Sequence, residues 1–516
     1  MLYFYLGLLI LLTTVFCELA ARRGWLPYWV SRKVLHVVAV GSCAVAGYQA
    51  GPVGERGLLV GIVAVAEVAL IGLVGFGGLM REESGRRAWG IVWFPLAFLL
   101  LLLTAEADTI GFAMAVLAVC DPAATVAGKL YAGQIETDRP LDDELVRPPT
   151  PPPGVYTLTG DPKSWVGSLA FVGAFVVMYT LDLYRSLIQF GFEDGFFQFM
   201  FDPAFLLDIL ALGVVYAAGE ALGSRGLDNL IVPLMVTVVG TAIIPTAPNF
   251  VFPSLIVLAV SFVWGTVRRS SLTLGGAVTA ALMGVVIVRT VGLKWILPLT
   301  LFFLSSSLIG RLFPAPARAG DAKHRQPRDH WQVLANGGVF LTLALLWGLR
   351  DRGALELPVP FPGMLLIAAA VAMADTWSSE LGQYFARPTY DVFQLRRVPV
   401  GLSGGMSVPG SLAGAVGAFL ISLLGYLVVP GYRTSDLIMI TLFGFFGMVA
   451  DSFLGGTFQA AYRDPATGAL SDVQGPNGVL HRGYPWMTND LVNFLAILLT
   501  VGLFAAGVVS GQGGGR

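Results

Sequence analysis

Charge is what this sequence has least of. Asp, Glu, Lys and Arg make up 13% of its 516 residues, against 55% apolar residues, whereas a soluble domain carries roughly 25% charged residues. A surface this poor in charge cannot face water over most of its area, and the mean hydropathy of +0.74 agrees. Cysteine is scarce too: Cys17, Cys43 and Cys120 lie in apolar stretches and form no C-x-x-C pair. That excludes a disulfide framework and a thiolate metal site. A net charge of -1 leaves no electrostatic footprint for nucleic acid. Also missing are the G-x-x-x-x-G-K-[ST] loop, a Rossmann G-x-G-x-x-G between strand and helix, H-E-x-x-H and a nucleophile elbow. Any nucleotide chemistry must be done without a soluble nucleotide fold.

What recurs instead, from end to end, is apolar runs of roughly 17 to 25 residues, each long enough to cross a hydrocarbon core of about 30 Å. The expectation is an all-α, polytopic integral membrane protein with roughly sixteen spans. Three of the expected spans, 108–120, 360–374 and 435–450, end just before Asp121, Asp375 and Asp451. The first apolar stretch is followed, not preceded, by Arg22 and Arg23. A cleaved signal has the opposite charge order, so this stretch reads as a retained first helix entering from outside. With Arg22, Arg23, Arg32 and Lys33 inside and strict alternation thereafter, the inside loops collect about 24 of the 32 Lys and Arg residues. Both termini then lie outside. Residues 134–163 form a Pro-rich inside loop and 311–330 a basic one. A seam at Arg268-Arg269-Ser270-Ser271 divides the chain into two membrane domains, 1–267 and 268–516.

Acidic residues gather where these spans end. In CDPAATVAGKLYAG, Asp121, Thr125 and Gly128 stand at i, i+4 and i+7 and share one helical face. Gly128 allows close backbone approach, and Lys129 adds positive charge. Such a group suits Mg²⁺ held by one or two carboxylates plus substrate phosphates; the plainer reading is a helix start at Asp-Pro. DPKSWVGS places Lys163, Ser164 and Gly167 at the start of a span, as a phosphate site or as a cap with a snorkelling lysine. GEALGSRGLDNL sets Glu220, Asp228 and Asn229 in a tight turn, competent for metal or simply solvated. SRKVLH puts Arg32, Lys33 and His36 at the inner mouth of the second span, where a histidine is costly. Glu67 stands mid-span with no evident partner.

The second half carries a parallel set. MADTWSSELGQ holds Asp375, Ser379 and Gly382 in the same i, i+4, i+7 relation, with Glu380 as a second carboxylate. GMVADSFLGGTF offers Asp451, Ser452 and Gly455. Arg396 and Arg397 precede a loop with Gly404 and Gly405, a phosphate cradle by type. Gln332 and Asn336 lie near one end of another span, and Asn489, Asp490 and Asn493 at the entry to the last. Each alone could be packing glue between membrane helices. Under the charge-derived topology almost all of them fall on one face, and that convergence marks active sites.

These motifs also carry two resemblances. RKVLH at 32–36, DPAATVAGKLYAG at 121–133, KSWVGS at 163–168 and GLDNLIVPL at 226–234 make the first half similar to the membrane kinases of dolichol and phytol, distant relatives of phosphatidate cytidylyltransferase. The Pro-rich insertion between Gly133 and Lys163 departs from that pattern. The second half has LTLGGAVTAALMG at 272–284, FFLSSSLIGR at 302–311, QVLANGG at 332–338, ADTWSSELG at 374–382, GLSGGMSVPGSLAG at 401–414 and GFFGMVADSFLGGTFQ at 444–459. It resembles the family of phytyl-phosphate kinase and the transmembrane protein 19 group. Leu402-Ser403 stand where that family has Thr-Asn, so no asparagine role carries over there.

Joined in one chain, the resemblances imply a bifunctional kinase. An isoprenoid alcohol becomes the monophosphate and then the diphosphate, with CTP as donor and Mg²⁺ as cofactor. They imply Asp121, Asp375 and Asp451 as catalytic residues, with Asp228 and Glu380 joining them on metal. Phosphates and nucleotide fall to Arg32, Lys33, His36, Thr125, Gly128, Lys129, Lys163, Ser164, Gly167, Asn229, Asn336, Ser379, Arg397, Gly404, Gly405, Ser452, Gly455 and Asn489. The expected setting is a bacterial cell membrane with the motifs facing the cytoplasm. A cytidylyltransferase making a CDP-lipid is one rival. A lipid transporter or flippase is the other, although transporters place charged sites near the bilayer midplane.

Overall fold

A computed structural model describes residues 1–75, 90–131, 153–191, 200–240, 251–314, 326–385, 388–391, 396–468, 470–475 and 478–513. Most of the Pro-rich loop and the middle of the basic loop therefore lie outside the described residues. The protein is all-α and polytopic. Among the described residues, thirteen helices are long and apolar enough to cross a membrane, and three shorter apolar helices, Gly57–Gly72, Gly90–Thr104 and Asp228–Gly240, accompany them. Every expected span carries one of these helices.

The expected ends of three spans need correction. The helix bearing Asp121 runs Ala107–Tyr131, that bearing Asp375 runs Phe361–Phe385, and that bearing Asp451 runs Thr434–Phe458. Each aspartate therefore lies inside a 25-residue helix, which overturns the reading of Asp121-Pro122 as a helix start. The reason is physical. Hydropathy falls at the first charge, but backbone hydrogen bonding continues wherever polar side chains share one protected face.

The chain forms two compact units, Met1–Phe262 and Val263–Arg516, with the boundary inside the Val251–Arg268 helix. In the first unit, Ala107–Tyr131 is central and packs against Tyr28–Tyr48, Trp165–Phe190 and Asp228–Gly240. Pro203–Leu222 packs on the last two of these. Edge-to-face contacts among Phe112, Phe175, Tyr179 and Tyr216 fill the interior. A short antiparallel hairpin, Val155–Thr157 with Pro162–Ser164, leads directly into Trp165–Phe190.

In the second unit, Phe361–Phe385 is central, with Leu365 through Ala374 all buried. It packs against His330–Asp351, Val408–Leu423, Thr434–Phe458 and Asn489–Gly513. Small residues make the closest of these contacts: a Cβ on Gly410 would lie 2.7 Å from Ser378 O, and one on Gly414 3.0 Å from Ala374 O. Membrane helices pack closely by this means when water supplies no hydrophobic drive. Thr389–Asp391 pairs antiparallel with Arg397–Val398 and with Gly405–Met406, and Ser407 then caps the Val408–Leu423 helix.

Candidate carboxylate sites in the two units

One group of charges in the first unit lies around Asp121; a second, Asp108, Asp182 and Arg185, pairs toward the other ends of the same helices. Lys33 Nζ lies 2.9 and 2.7 Å from the two oxygens of Asp121, and His36 Nε2 lies 3.3 Å from Asp121 Oδ2. Lys163, at the end of the hairpin, donates to Glu220 and stands 3.6 Å from Asp228 Oδ2. Burial opposes the Lys163 charge, but Asp228 and Glu220 beside it outweigh that and hold its ammonium above the ordinary lysine range. Asp121, Glu220 and Asp228 are all buried, and one oxygen from each lies within 4.8 Å of the others. These three carboxylates come from three helices. A tight turn permits it: Arg225 and Gly226 adopt positive φ, Asp161 Oδ2 accepts from Arg225 N at 2.8 Å, and Gly223 lets the backbone of Asp228 approach where a side chain would collide.

An all-oxygen set of this spacing fits a hard divalent cation such as Mg²⁺, which takes one or two carboxylates and leaves positions for phosphate oxygens. Lys33 and Lys163 already offset part of the negative charge, and both can also meet a polyphosphate.

Other residues expected at this site have the following surroundings. Ser164 Oγ accepts from Gly167 N at 3.0 Å, so it caps the Trp165–Phe190 helix, while Lys163 is not a snorkelling residue. Asn229 is buried, and its amide donates to Gly90 O at 2.9 Å, which fastens the Gly90–Thr104 helix. Lys129 lies over the Trp29 ring at 4.7 Å. Arg32 precedes Lys33 on the same helix, and Thr125 lies half-buried one turn beyond Asp121. Glu67 is buried in the Gly57–Gly75 helix with neither carboxylate oxygen hydrogen-bonded among the described residues.

The second unit repeats the local plan. A Cβ on Gly128 would stand 3.0 Å from Ser164 Oγ, and one on Gly382 3.1 Å from Ser407 Oγ. Ser164 caps through Gly167, and Ser407 through Gly410. A Cβ on Gly167 would meet Ala124 O at 2.8 Å, and one on Gly410 would meet Ser378 O at 2.7 Å. Ala124 and Ser378 each follow their aspartate, Asp121 or Asp375, by three residues. In both units, then, an antiparallel strand leads to a capping serine whose helix is pressed by glycine against the helix bearing the aspartate.

Around Asp375 the charge pattern differs. Asp451 feels the charge of Asp375, and Asn493 Nδ2, oriented as its neighbours require, donates to Asp451 Oδ2 and to Asn489 O, each at 3.0 Å. The glycine loop lies beside them: a Cβ on Gly404 would touch Ser452 O at 3.2 Å, and Gly405 continues into the strand against Asp391. Arg482 donates to Ser403 O at 3.0 Å and to Gly455 O at 3.5 Å, and stands 3.7 Å from Asp391 Oδ2. Ser403 N and Oγ donate to Asp472 Oδ2 at 2.9 and 2.6 Å.

Arg482, Asp391 and Asp472 were not among the residues expected at a site; only the pairing of short strands brings them there, and no spacing in the sequence announces it. Glu380 pairs with Arg328 at 3.0 Å, and Asn336 Nδ2 donates to Gln332 O on its own helix. Ser379 donates to Thr376 O, and Arg397 lies 5.9 Å from the Tyr390 ring.

Fold and sites together define a polytopic helical membrane protein with a buried carboxylate cluster in its first unit. The family described as integral membrane protein DUF92 matches residues 257–501. Uncharacterized membrane protein MJ0933 of Methanocaldococcus jannaschii is 30% identical over 186 residues, 36% of this chain and 73% of that protein. Protein PGR of Arabidopsis thaliana is 26% identical over 276 residues, covering 49% of this chain and 95% of the relative. Protein VTE6, chloroplastic, from the same plant, is 27% identical over 131 residues, 25% of this chain and 32% of its own length. No solved structure matches. The chain belongs to the DUF92 family of integral membrane proteins.

Proposed function

We propose that this protein is a bifunctional kinase of an isoprenoid alcohol, with one phosphoryl transfer in each unit. The observation that carries the reading is the shared plan of the two sites: Asp121 with Gly128, Ser164 and Gly167, and Asp375 with Gly382, Ser407 and Gly410. One scaffold used twice suits two steps of the same chemistry. In the first, the alcohol oxygen bonds to the γ-phosphorus of a nucleoside triphosphate, CTP in our reading. The bond from that phosphorus to the bridging oxygen breaks, nucleoside diphosphate leaves with the electron pair, and the hydroxyl proton is released. In the second, a phosphate oxygen of the monophosphate attacks in the same way.

Such transfers depend on positioning and on charge neutralisation more than on covalent catalysis. Asp121, Glu220 and Asp228 would hold Mg²⁺ in the first unit, and Asp375 and Asp451 in the second; bound there, the ion neutralises phosphate charge. Lys33 and Lys163 orient the first donor, and Arg482 with the 401–406 loop the second. The lipid enters from the bilayer with its polar end at the level of the carboxylates, on the cytoplasmic side of a cell membrane. The test is direct. Purified protein is given CTP or ATP radiolabelled at the γ-phosphorus, and in parallel CTP radiolabelled at the α-phosphorus, with prenyl alcohols and prenyl monophosphates, and products are separated by thin-layer chromatography. Label in monophosphate and diphosphate supports the reading; label in a CDP-lipid would transfer the protein to the cytidylyltransferases, and no labelled lipid would refute it.

A further inference from the structure

The hairpin that leads into Trp165–Phe190 grips the turn between Pro203–Leu222 and Asp228–Gly240 through three alternate residues. Thr159 Oγ1 donates to Leu222 O at 2.8 Å, and Asp161 Oδ2 accepts from Arg225 N at 2.8 Å. Lys163 donates to Glu220 and stands 3.6 Å from Asp228 Oδ2. The hydrogen-bonded pairs are 57 to 64 residues apart in sequence, so the grip is tertiary and not a local cap. The turn has need of it. Arg225 has a φ of 54°, which is uncommon for a residue other than glycine, and Leu222 O is one of the carbonyls that a helix end leaves unpaired. Glu220 and Asp228, on either side of the turn, join Asp121 with one oxygen from each within 4.8 Å of the others. Like charges this close repel, so a turn that brings two of them together must be held from outside.

The second unit ties the corresponding connection by different side chains. Just before the capping Ser407, Ser403 N and Oγ donate to Asp472 Oδ2 at 2.9 and 2.6 Å, and Arg482 donates to Ser403 O at 3.0 Å. Asp472 and Arg482 both belong to the stretch between Thr434–Phe458 and Asn489–Gly513. A tie made twice, each time from the segment before a capping serine, belongs to the shared plan of the two sites.

We propose that the 154–164 hairpin is a strap that sets the carboxylates of the first unit, and that Asp161 is a positioning residue for them. Lys163 offsets their charge; Asp161 fixes the turn that aims Glu220 and Asp228 at Asp121. The proposal rests on the reading of these three as ligands of a divalent cation. Asp161 acts through the hydrogen bond it accepts and not through its charge.

The experiment uses the full chain in nanodiscs, with Mn²⁺ as the probe, since it takes the same oxygen ligands as Mg²⁺ and its free ion is counted by electron paramagnetic resonance. The binding that Asp121→Asn removes defines the first-unit site. Asp161→Ala should weaken that binding by about ten- to a hundredfold, the usual cost of losing a group that orients a metal ligand. Asp161→Asn, whose amide oxygen can still accept from Arg225 N, should keep it. Phosphorylation of the alcohol by Asp161→Ala should need correspondingly more Mg²⁺, with little change at saturation, while phosphorylation of a supplied monophosphate stays at the wild-type level. Unaltered Mn²⁺ binding in Asp161→Ala, equal losses in Asp161→Ala and Asp161→Asn, or an equal fall in both steps overturns the proposal.

Hydrogen exchange keeps the strap testable if the wild-type chain binds no Mn²⁺ or forms no labelled lipid. Amides of 222–229 should exchange about tenfold faster or more in Asp161→Ala, and at the wild-type rate in Asp161→Asn. That result without metal binding would condemn the metal reading and leave the strap standing. Unchanged exchange in Asp161→Ala would remove the strap itself.

Discussion

Lys33 and Asp121, 88 residues apart in sequence, form a two-pronged ion pair, with the ammonium 2.9 and 2.7 Å from the two carboxylate oxygens. In the proposed reading the lysine would meet a nucleotide phosphate approaching a carboxylate-held cation. Asp121→Asn keeps the size of the side chain and removes the charge. It should lower alcohol phosphorylation by about two to three orders of magnitude, the scale on which lost electrostatic stabilisation is felt in kcat. Phosphorylation of a supplied monophosphate should be unchanged. Equal loss of both steps in a folded variant would contradict two separate sites.

Lys163 and Glu220 allow a test of stability apart from activity. Their side chains are 18% and 6% exposed, and Asp228 lies beside them. Lys163→Met leaves two buried carboxylates facing each other, and removing one partner of a buried pair costs about 3–5 kcal/mol. Thermal unfolding in detergent should show a large fall in midpoint. The double variant Lys163→Met/Glu220→Leu should recover much of it; if it melts as low as the single variant, the coupling is absent. The raised pKa of Lys163 fixes the sign with pH. Its contribution is fully present below the ordinary lysine value and is lost only as pH rises through the raised one. The wild-type midpoint should therefore show no loss from the Lys163 charge between about pH 6 and 9.

Much of this was legible in the sequence, and the limits have physical causes. Helices could be found because apolar runs of bilayer length admit few other structures. The i, i+4, i+7 spacing of Asp121, Thr125 and Gly128 and of Asp375, Ser379 and Gly382 correctly put each trio on one face, since both trios lie within continuous helices. Helix ends were misjudged at these same places, because hydropathy measures solvent preference and not hydrogen bonding. Glu220 was visible only as part of a polar turn; that it meets Asp121 follows from three helices packing together. The bond from Asn229 to the carbonyl of Gly90 was not legible, because a backbone partner carries no side-chain signature. The near-identity of the two capping serines depends on strands only two or three residues long, shorter than any pattern a sequence can announce.

The glycine contacts give a prediction that separates the units. Gly167→Val should push the Trp165–Phe190 helix away from Ala124 O and impair the first step alone. Gly410→Val should do the same at Ser378 O and impair the second step alone. Overpacking of this kind costs about 1–3 kcal/mol, enough to displace a helix end without unfolding the chain. Each variant is assayed with free alcohol and with supplied monophosphate. Crossed or equal effects would mean that the shared arrangement is not tied to a particular step.

Asp375 and Asp451 carry the last prediction. The monophosphate and a nucleoside triphosphate bring several negative charges together at a boundary of low dielectric, where their repulsion is strong. If these two carboxylates hold the cation that offsets it, Asp375→Asn and Asp451→Asn should each block diphosphate formation. Isoprenyl monophosphate should then accumulate from the free alcohol. Folding should survive in Asp451→Asn, because the amide oxygen introduced there can still accept the hydrogen bond that Asn493 gives to Asp451 Oδ2 at 3.0 Å. That point separates metal binding from packing. A residue that only ties the Thr434–Phe458 helix to Asn489–Gly513 keeps its bond when Asp becomes Asn, so activity would stay near normal. A residue that holds the cation loses its charge, so activity falls and raising Mg²⁺ restores part of it. Activity is therefore measured across a Mg²⁺ series with melting temperature as the folding control. Near-normal diphosphate formation by both variants at low and saturating Mg²⁺ alike would remove the metal role from this pair.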